Sequence, residues 1–480
     1  MKKGLLSLWA FLLFTTAWGQ VQIGVDLIGC TNCRVANSVT ISDNGDRMAI
    51  GNPGVSGNAG AVEIFTVGST LTFTGALFPP PGSTDDFGTA VAIAGDASRL
   101  AIGSLSGQGS VTIWGANGPD WLPDGTLLGD MNAGQAFGSA IDFSQDGSRI
   151  VIGDPGFDDM QGANNIGAVT VYERINYVWT PIGSTLRGTS MDSYTYGFDV
   201  AISGDGQRLV VGDYTQGTTG GKVYVYQWEN NDWAPLGAVI EGEAGLDQAT
   251  GISVDINHDG SRIVVGASNF GIDEAGANAT GAATVYEWQT DNWVQQAQPV
   301  LGEAIGDAFG RSVSIDSTGN RIAVGAPNDG SRAGYTKVFD WFGVAWFQVG
   351  ENIDGLTVGD LEGFSVDLSG NSQRLLIGAP GNNPNTTQGG LGRVFEFIAV
   401  SSTQETVISE LIRISPNPTT DFIQLNGKLA EAVQVFNANG QLVLTQQNVY
   451  ELDLSALPGG LYLIKGQSEG NWFHGKVFKQ

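Results

Sequence analysis

The stretch Gly310–Pro327, GRSVSIDSTGNRIAVGAP, constrains this chain more than any other feature, because the chain repeats it. It reads as a strand (SVSI), a tight turn (DSTGN) and a second strand that ends in Gly-Ala-Pro. The same order of signals returns in Asp142–Pro155, Ala201–Asp213, Asp255–Ala267 and Asp367–Pro380, with looser copies in Ile41–Pro53 and Ile93–Gly103. An arginine opens the second strand each time: Arg47, Arg99, Arg149, Arg208, Arg262, Arg321 and Arg374. The spacings are 52, 50, 59, 54, 59 and 53 residues. A period near 50 held over seven copies marks a repeat architecture, in which each unit buries its apolar faces against its neighbours.

Each unit continues past its hairpin. After a loop of variable length comes a third strand, as in Gly167–Glu173, Gly221–Trp228, Gly281–Trp288 and Gly392–Phe397. A turn of hairpin length and a fourth strand follow, as in Pro181–Gly188, Pro235–Gly242 and Gln348–Gly355. Four short strands per repeat, rich in β-branched and aromatic residues, predict one propeller blade, and no segment has helical periodicity over helical length. Glycine supplies 71 of 480 residues, as tight turns between many short strands require. The seventh repeat stops after three strands at Val400. A fourth-strand pattern without its first three sits near the N-terminus, Val21–Gly29. Pairing the two would remove two open sheet edges. The expected fold is all-β: a seven-bladed β-propeller over residues 20–400, closed by the N-terminal strand.

These repeats resemble the FG-GAP repeats of integrin-α-type propellers. The Phe-Gly element stands at Phe87-Gly88, Phe137-Gly138 and Phe309-Gly310, and Gly-Ala-Pro is complete at Gly325–Pro327 and Gly378–Pro380. The resemblance spans about residues 21–400 and implies fold, not activity. Many members of that family hold Ca²⁺ in the first hairpin with a D-x-D-x-D-G-x-x-D loop. Calcium needs six to eight oxygens. The best match here is Asp255, Asn257 and Asp259, but the last acid of the pattern falls on Arg262 and the loop is one residue short. A guanidinium in place of a carboxylate disfavours calcium, so no cofactor is expected. The seven arginines are instead expected to tie down the hairpin turn, or a neighbouring blade's carboxylate or carbonyls, with their five N–H donors.

The net charge is −27, and Gln20–Val400 holds 15 Arg and Lys against 42 Asp and Glu. Such a field repels nucleic acid and anionic membranes and keeps an extracellular protein in solution. Many of the acids fall in two loop sets, before each first strand and after each second strand. A four-stranded meander brings both sets to one face of the ring. Asp85, Asp86, Asp158, Asp159, Asp192, Tyr194, Asp247, Asp273, Asp307 and Asp360 mark the candidate binding face. The chain has two histidines, His258 in a hairpin turn and His474 near its end, and no G-x-G-x-x-G motif. Neither histidine has the context of a catalytic triad, and no privileged carboxylate pair for glycoside chemistry stands out. The reading is a binding or adhesion module for an extracellular protein or glycan. The alternative is a polysaccharide hydrolase or lyase that uses loop carboxylates.

Lys2, Lys3, an apolar run Leu5–Phe14 and Ala17-Trp18-Gly19 compose a signal peptide over residues 1–19. No later apolar run reaches the roughly 18 residues of a membrane helix. In an exported chain Cys30 and Cys33 are expected to close a local disulfide or remain inert thiols. Residues 401–411 read as a linker. Residues 412–480 drop the repeat and alternate short strands with Asn-Gly and Gly-Gly turns, which predicts a small Ig-like β-sandwich. Ser415-Pro-Asn-Pro418, Leu452–Leu457, Pro458–Tyr462 and Lys476–Lys479, in that order, closely resemble the type A sorting domain of the type IX secretion system. That resemblance implies contact with the type IX machinery, passage through the outer membrane, and release or attachment at the cell surface.

Overall fold

The computed structural model describes residues 18–79, 86–130, 136–158, 166–188, 195–214, 220–243, 248–271, 279–328, 333–381, 389–399, 414–415, 419–425, 429–437, 442–468 and 471–479. The expected signal peptide outside Trp18 and Gly19, and the linker, lie outside these residues. The chain divides into two units, Gln20–Phe397 and a second that contains Ile398–Gln480.

The first unit is a seven-bladed β-propeller. Each blade starts at the axis with a short strand: Ser38–Ile41, Val91–Ile93, Ala140–Phe143, Asp199–Ile202, Thr250–Ile256, Ser312–Ile315 and Ser365–Leu368 in blades 1 to 7. The arginine-led strand pairs antiparallel with it, for example Arg149–Asp154 against Ala140–Phe143. Apart from their arginines, these second strands are buried throughout. A continuous apolar run such as RIVIGD suits a strand covered on both faces by neighbouring blades. One core cluster accordingly joins Val264, Ala283 and Val285 of blade 5 to Val313, Ile322 and Val324 of blade 6.

The outer strands alternate. Blades 4 to 6 carry cross-strand tryptophan pairs, Trp228–Trp233, Trp288–Trp293 and Trp341–Trp346, with ring centroids 5.1, 5.3 and 5.4 Å apart. Fourth strands run unbroken in blades 1 to 3, past a bulge. In blades 4 to 6 they divide in two, as Asp232–Pro235 and Ile240–Glu241. The seventh sheet orders as Trp18–Ile28, Leu391–Ala399, Arg374–Ala379 and Ser365–Leu368. Cys30 and Cys33 form a disulfide between Trp18–Ile28 and blade 1.

In the second unit a three-stranded sheet (Ile414–Ser415, Phe422–Leu425, Glu451–Asp453) and a four-stranded sheet (Leu442–Val449, Ala430–Asn437, Gly460–Ser468, Asn471–Lys479) share one core. Ile423, Leu425 and Leu452 of the first meet Val433, Val435, Tyr462, Ile464 and Val477 of the second. Lys479 is buried and its ammonium donates to the carbonyls of Leu454, Ser455 and Leu457 at 2.7, 2.9 and 2.6 Å. A buried cation is tolerated when all its donors are used in this way.

Candidate functional site

The inner strand of a blade is a sheet edge, so every second N–H on it lacks a ladder partner. The sequence supplies the missing acceptors from the preceding blade. Ser38 Oγ accepts from Val91 N at 3.0 Å and Thr40 Oγ1 from Ile93 N at 3.1 Å. Ser253, Ser312 and Ser314 do the same for Val313, Val366 and Leu368. Carboxylates hold the other places: Asp142 accepts from Ile202 N, Asp199 from Val254 N, Asp255 from Ile315 N and Asp367 from Ile41 N, all at 2.8 Å.

One layer further along the axis the hairpin turns join through their backbones. Asp43 N donates to Gly95 O, Asp96 N to Gln145 O, Gln145 N to Gly204 O and Asp205 N to His258 O. His258 N donates to Ser317 O, Ser317 N to Gly370 O, and Asn371 N returns to Asp43 O, closing a seven-step circuit of bonds of 2.8–3.3 Å. Inside this collar lies a cavity of about 110 Å³, lined by Asp142, Asp255, Asp367, Thr40, Ser314, Asp43, Gln145, His258 and their neighbours. Gly204 leaves room for the imidazole, since a Cβ there would stand 2.0 Å from His258 Nδ1.

Burial and mutual repulsion push these carboxyls up. Burial and then the charge of Asp255 hold Asp142 well above the usual carboxylate range. Burial carries Asp255 to about 7 and Asp367 to about 8, against the backbone donors that lower each. Asp199 reaches about 6 for the same reason. Asp43 is raised by burial and partly restored by Gln145 Nε2, which donates to it at 2.9 Å, and by the nearby His258.

The seven arginines lie between blades. Arg99, Arg149, Arg208, Arg262, Arg321 and Arg374 donate from Nη1 to a turn carbonyl of the next blade: Gly147, Gly206, Gly260, Gly319, Ser372 and Gly45, at 2.6–3.2 Å. Gly260, at φ +69°, takes the left-handed turn and clears space, for a Cβ there would sit 2.6 Å from Arg208 Cδ. On the other side the guanidinium meets a carboxylate of its own sheet, as Arg262 with Glu287 at 2.9 Å and Arg321 with Asp340 at 2.7 Å. Arg47, Arg99, Arg149 and Arg208 also stack over Trp121, Trp179, Trp228 and Trp288 of the following blade. Arg47 departs from the pattern and reaches Gly118 O on an outer hairpin instead.

The three residues of the calcium pattern part company. Asp255 lies within an inner strand and caps the neighbouring blade, whereas Asn257 and Asp259 belong to the turn. Asn257 Nδ2 donates to Asp259 Oδ1 at 2.9 Å, and Asn257 Oδ1 accepts from Arg262 N. Among the described residues no group of three His, Cys, Asp or Glu side chains is placed to hold a metal ion.

Of the candidate binding-face residues, Asp85, Asp159, Asp192, Tyr194, Asp247 and Asp273 lie outside the described residues. Asp86 is partly exposed and pairs with Arg34 at 2.9 Å, and Asp158 is partly exposed. Asp307 and Asp360 do not belong to a solvated rim, because both are fully buried. Asp307 accepts from the amides of Glu303 and Ala304 and from Tyr335 Oη; Asp360 accepts from the amides of Leu356 and Thr357. They staple their own loops, as short acidic side chains do in turns.

The opposite end of the axis holds a residue that no motif of the sequence marks. Arg311 stands between Gly310 and the inner strand of blade 6, the place held by Asn37, Thr89, Ser139, Phe198, Ile252 and Phe364 in the other blades. Its guanidinium lies 4.9 Å from the ring of Phe364 in blade 7 and 6.0 Å from that of Phe198 in blade 4. Contact with blades on both sides of the ring sets it across the axis. A comparison of the seven copies at this position would have singled it out, as the one basic residue there.

Residues 413–480 match the family profile described as Secretion system C-terminal sorting domain. No curated protein matches the chain. Among solved structures the chain is similar to hydrazine synthase of Kuenenia stuttgartiensis, with a TM-score of 0.50 and 16% identity over 72% of this chain and 92% of that one. At that identity the likeness is one of fold. No helix among the described residues is long and apolar enough to cross a membrane.

Proposed function

We propose that the protein is an exported β-propeller that binds an extracellular protein or glycan at the loop-face mouth of its axis, and that its C-terminal domain routes it through the type IX secretion system to the cell surface. The sorting-domain match at residues 413–480 supports the route. The two ends of the channel support binding over catalysis. At the hairpin end each inner-strand carboxylate is spent on a backbone amide of the next blade, and the cavity of about 110 Å³ is small beside the ~300–1,000 Å³ typical of ligand sites. At the loop end a cation stands over two phenylalanine rings, with its N–H donors unspent among the described residues. The elevated carboxyls of Asp142, Asp255 and Asp367 favour the second reading, an extracellular polysaccharide hydrolase or lyase, since a proton donor at neutral pH is what such chemistry requires.

Ring closure by the N-terminal strand, an Ig-like character for the C-terminal sandwich and kinship with FG-GAP propellers belong to the same proposal. Closure rests on the pairing order of the seventh sheet and on Ile23 and Leu27 packing in one cluster with Val394. An array of extracellular glycans and proteins probed with the full chain tests the function. Retention on a defined glycan or protein, with no release of reducing ends from polysaccharides, is expected. Polysaccharide turnover that Asp255→Asn and Asp367→Asn abolish would replace this reading with the second.

A further inference from the structure

Arg311 is spent on nothing that the described residues provide. Its guanidinium carries five N–H donors in a fixed fork. Among the described residues none of them meets a hydrogen-bond acceptor, and no carboxylate lies within ion-pair distance. The contacts it makes are the faces of Phe198 and Phe364. Burial lowers the pKa of the guanidinium, and the charge of Asp199, one layer below, opposes that shift while its carboxylate is engaged with the amides of Val200 and Val254. Every arginine of the repeat set, by contrast, donates to a carbonyl. With its N–H groups unpaired among the described residues, the guanidinium can offer two of them to a planar carboxylate as parallel bonds.

The rest of the mouth is divided by chemistry. Blades 4, 5 and 7 set Phe198, Ile252 and Phe364 at this register, and Tyr214 packs edge-on to Phe198 at 4.4 Å. Blades 1, 2 and 3 set Asn37, Thr89 and Ser139 there; the Asn37 amide donates to Thr89 O and the Thr89 hydroxyl to Asp86 O, which leaves Asn37 Oδ1 and the Thr89 lone pairs as acceptors, and Ser139 Oγ is buried. A cation, an apolar arc and an arc of acceptors at Asn37 and Thr89 match a ligand with one carboxylate, a C–H face and hydroxyl donors. We infer that the axial mouth around Arg311 binds a sugar acid, a pyranose bearing a single carboxylate, such as the uronic acid at the end of a glycan chain. The inference rests on the binding reading above and names the ligand class for that face. The chain's net charge of −27 does not forbid it, since a Debye length of about 8 Å at physiological salt screens the outlying rim acids. It does select against long polyanions and favours one carboxylate at a chain end.

The test is calorimetric titration of the full chain with D-galacturonic acid and D-glucuronic acid, beside D-glucose, acetate and a short peptide with a free C-terminal carboxylate. At least one uronic acid is expected to bind at least tenfold more tightly than glucose and than acetate. Arg311→Leu should lose that preference and Arg311→Lys, which keeps charge without the fork, should fall between. Thermal melts establish that the variants are folded; should Arg311→Leu melt early, Phe364→Ala, which removes one stacking ring and leaves the charge, must weaken uronate binding at least fivefold. Equal binding of uronate and glucose, uronate binding untouched by Arg311→Leu, or tighter binding of the peptide would each overturn the assignment. A glycan ligand found on the array whose binding ignores Arg311 would leave the binding function standing and remove this site.

Discussion

A single arginine position does the same mechanical work in most of the blades, but its energetic weight depends on burial. Arg321 is 4% exposed, donates twice to Asp340 at 2.7 and 2.9 Å, and reaches Ser372 O at 2.6 Å. Removing one partner of a buried pair leaves the other uncompensated, so Arg321→Gln should cost about 3–5 kcal/mol. Arg47 makes an exposed bond to Gly118 O and stacks on Trp121. Arg47→Gln should cost about 1 kcal/mol or less. Urea unfolding of the two variants checks the contrast, and equal losses would mean that the guanidiniums do not hold blades together. The repeat printed these arginines seven times, so their importance could be read from the chain. That they reach a neighbouring blade's carbonyls was also expected, but which carbonyl was not legible, because it lies far along the chain, 52 residues away for Arg208 and Gly260. Arg311 was hidden for the opposite reason: it breaks a repeat, and periodicity reveals what recurs.

Strands were legible where their apolar pattern is forced by the architecture. The second strand of each blade is buried on both faces and could hardly read otherwise. Asp255 shows where strand logic outran the motif. Read as the first ligand of a turn, it belongs to the strand Thr250–Ile256, where its side chain caps Ile315 N of the next blade. The end of that strand at Ile256 thus separates it from Asn257 and Asp259, which lie in the turn. Asp307 and Asp360 were misplaced because an acid in a loop looks the same whether it faces water or turns inward to hold its own backbone. At this scale the first strand carries the sharpest expectation. A chain starting at Gly29 would leave the edge of Leu391–Ala399 open, and should elute as soluble aggregate instead of monomer in size-exclusion chromatography. A monomer with an unchanged melt would refute closure by that strand. In the C-terminal unit, Lys479→Ala orphans three carbonyls and should destabilise that unit by about 2–4 kcal/mol while the propeller transition stays in place, as two-transition calorimetry would show.

The whole propeller is drawn together along an axis whose two ends have different work. At the hairpin end, Asp255 and Asp367 titrate near 7 and 8, and Asp142 is raised well above its usual range, whereas an unfolded aspartate titrates near 3.9. Between about pH 4 and 8 the folded chain therefore binds more protons than the unfolded one, and stability falls as pH rises through that window. The melting temperature should climb on acidification from pH 8 to pH 5, the reverse of ordinary acid denaturation. Asn keeps an acceptor and lacks the charge, so Asp255→Asn and Asp367→Asn should each stabilise by about 1–3 kcal/mol at pH 8 and by little at pH 5. The most direct test of a divided axis is uronate binding and thermal stability measured side by side on two variants at pH 8: the Asp142→Asn, Asp255→Asn, Asp367→Asn triple and Arg311→Leu. The triple should gain stability and bind uronate as the parent does, and Arg311→Leu should keep stability and lose binding. Loss of binding in the triple together with retention in Arg311→Leu would contradict the account.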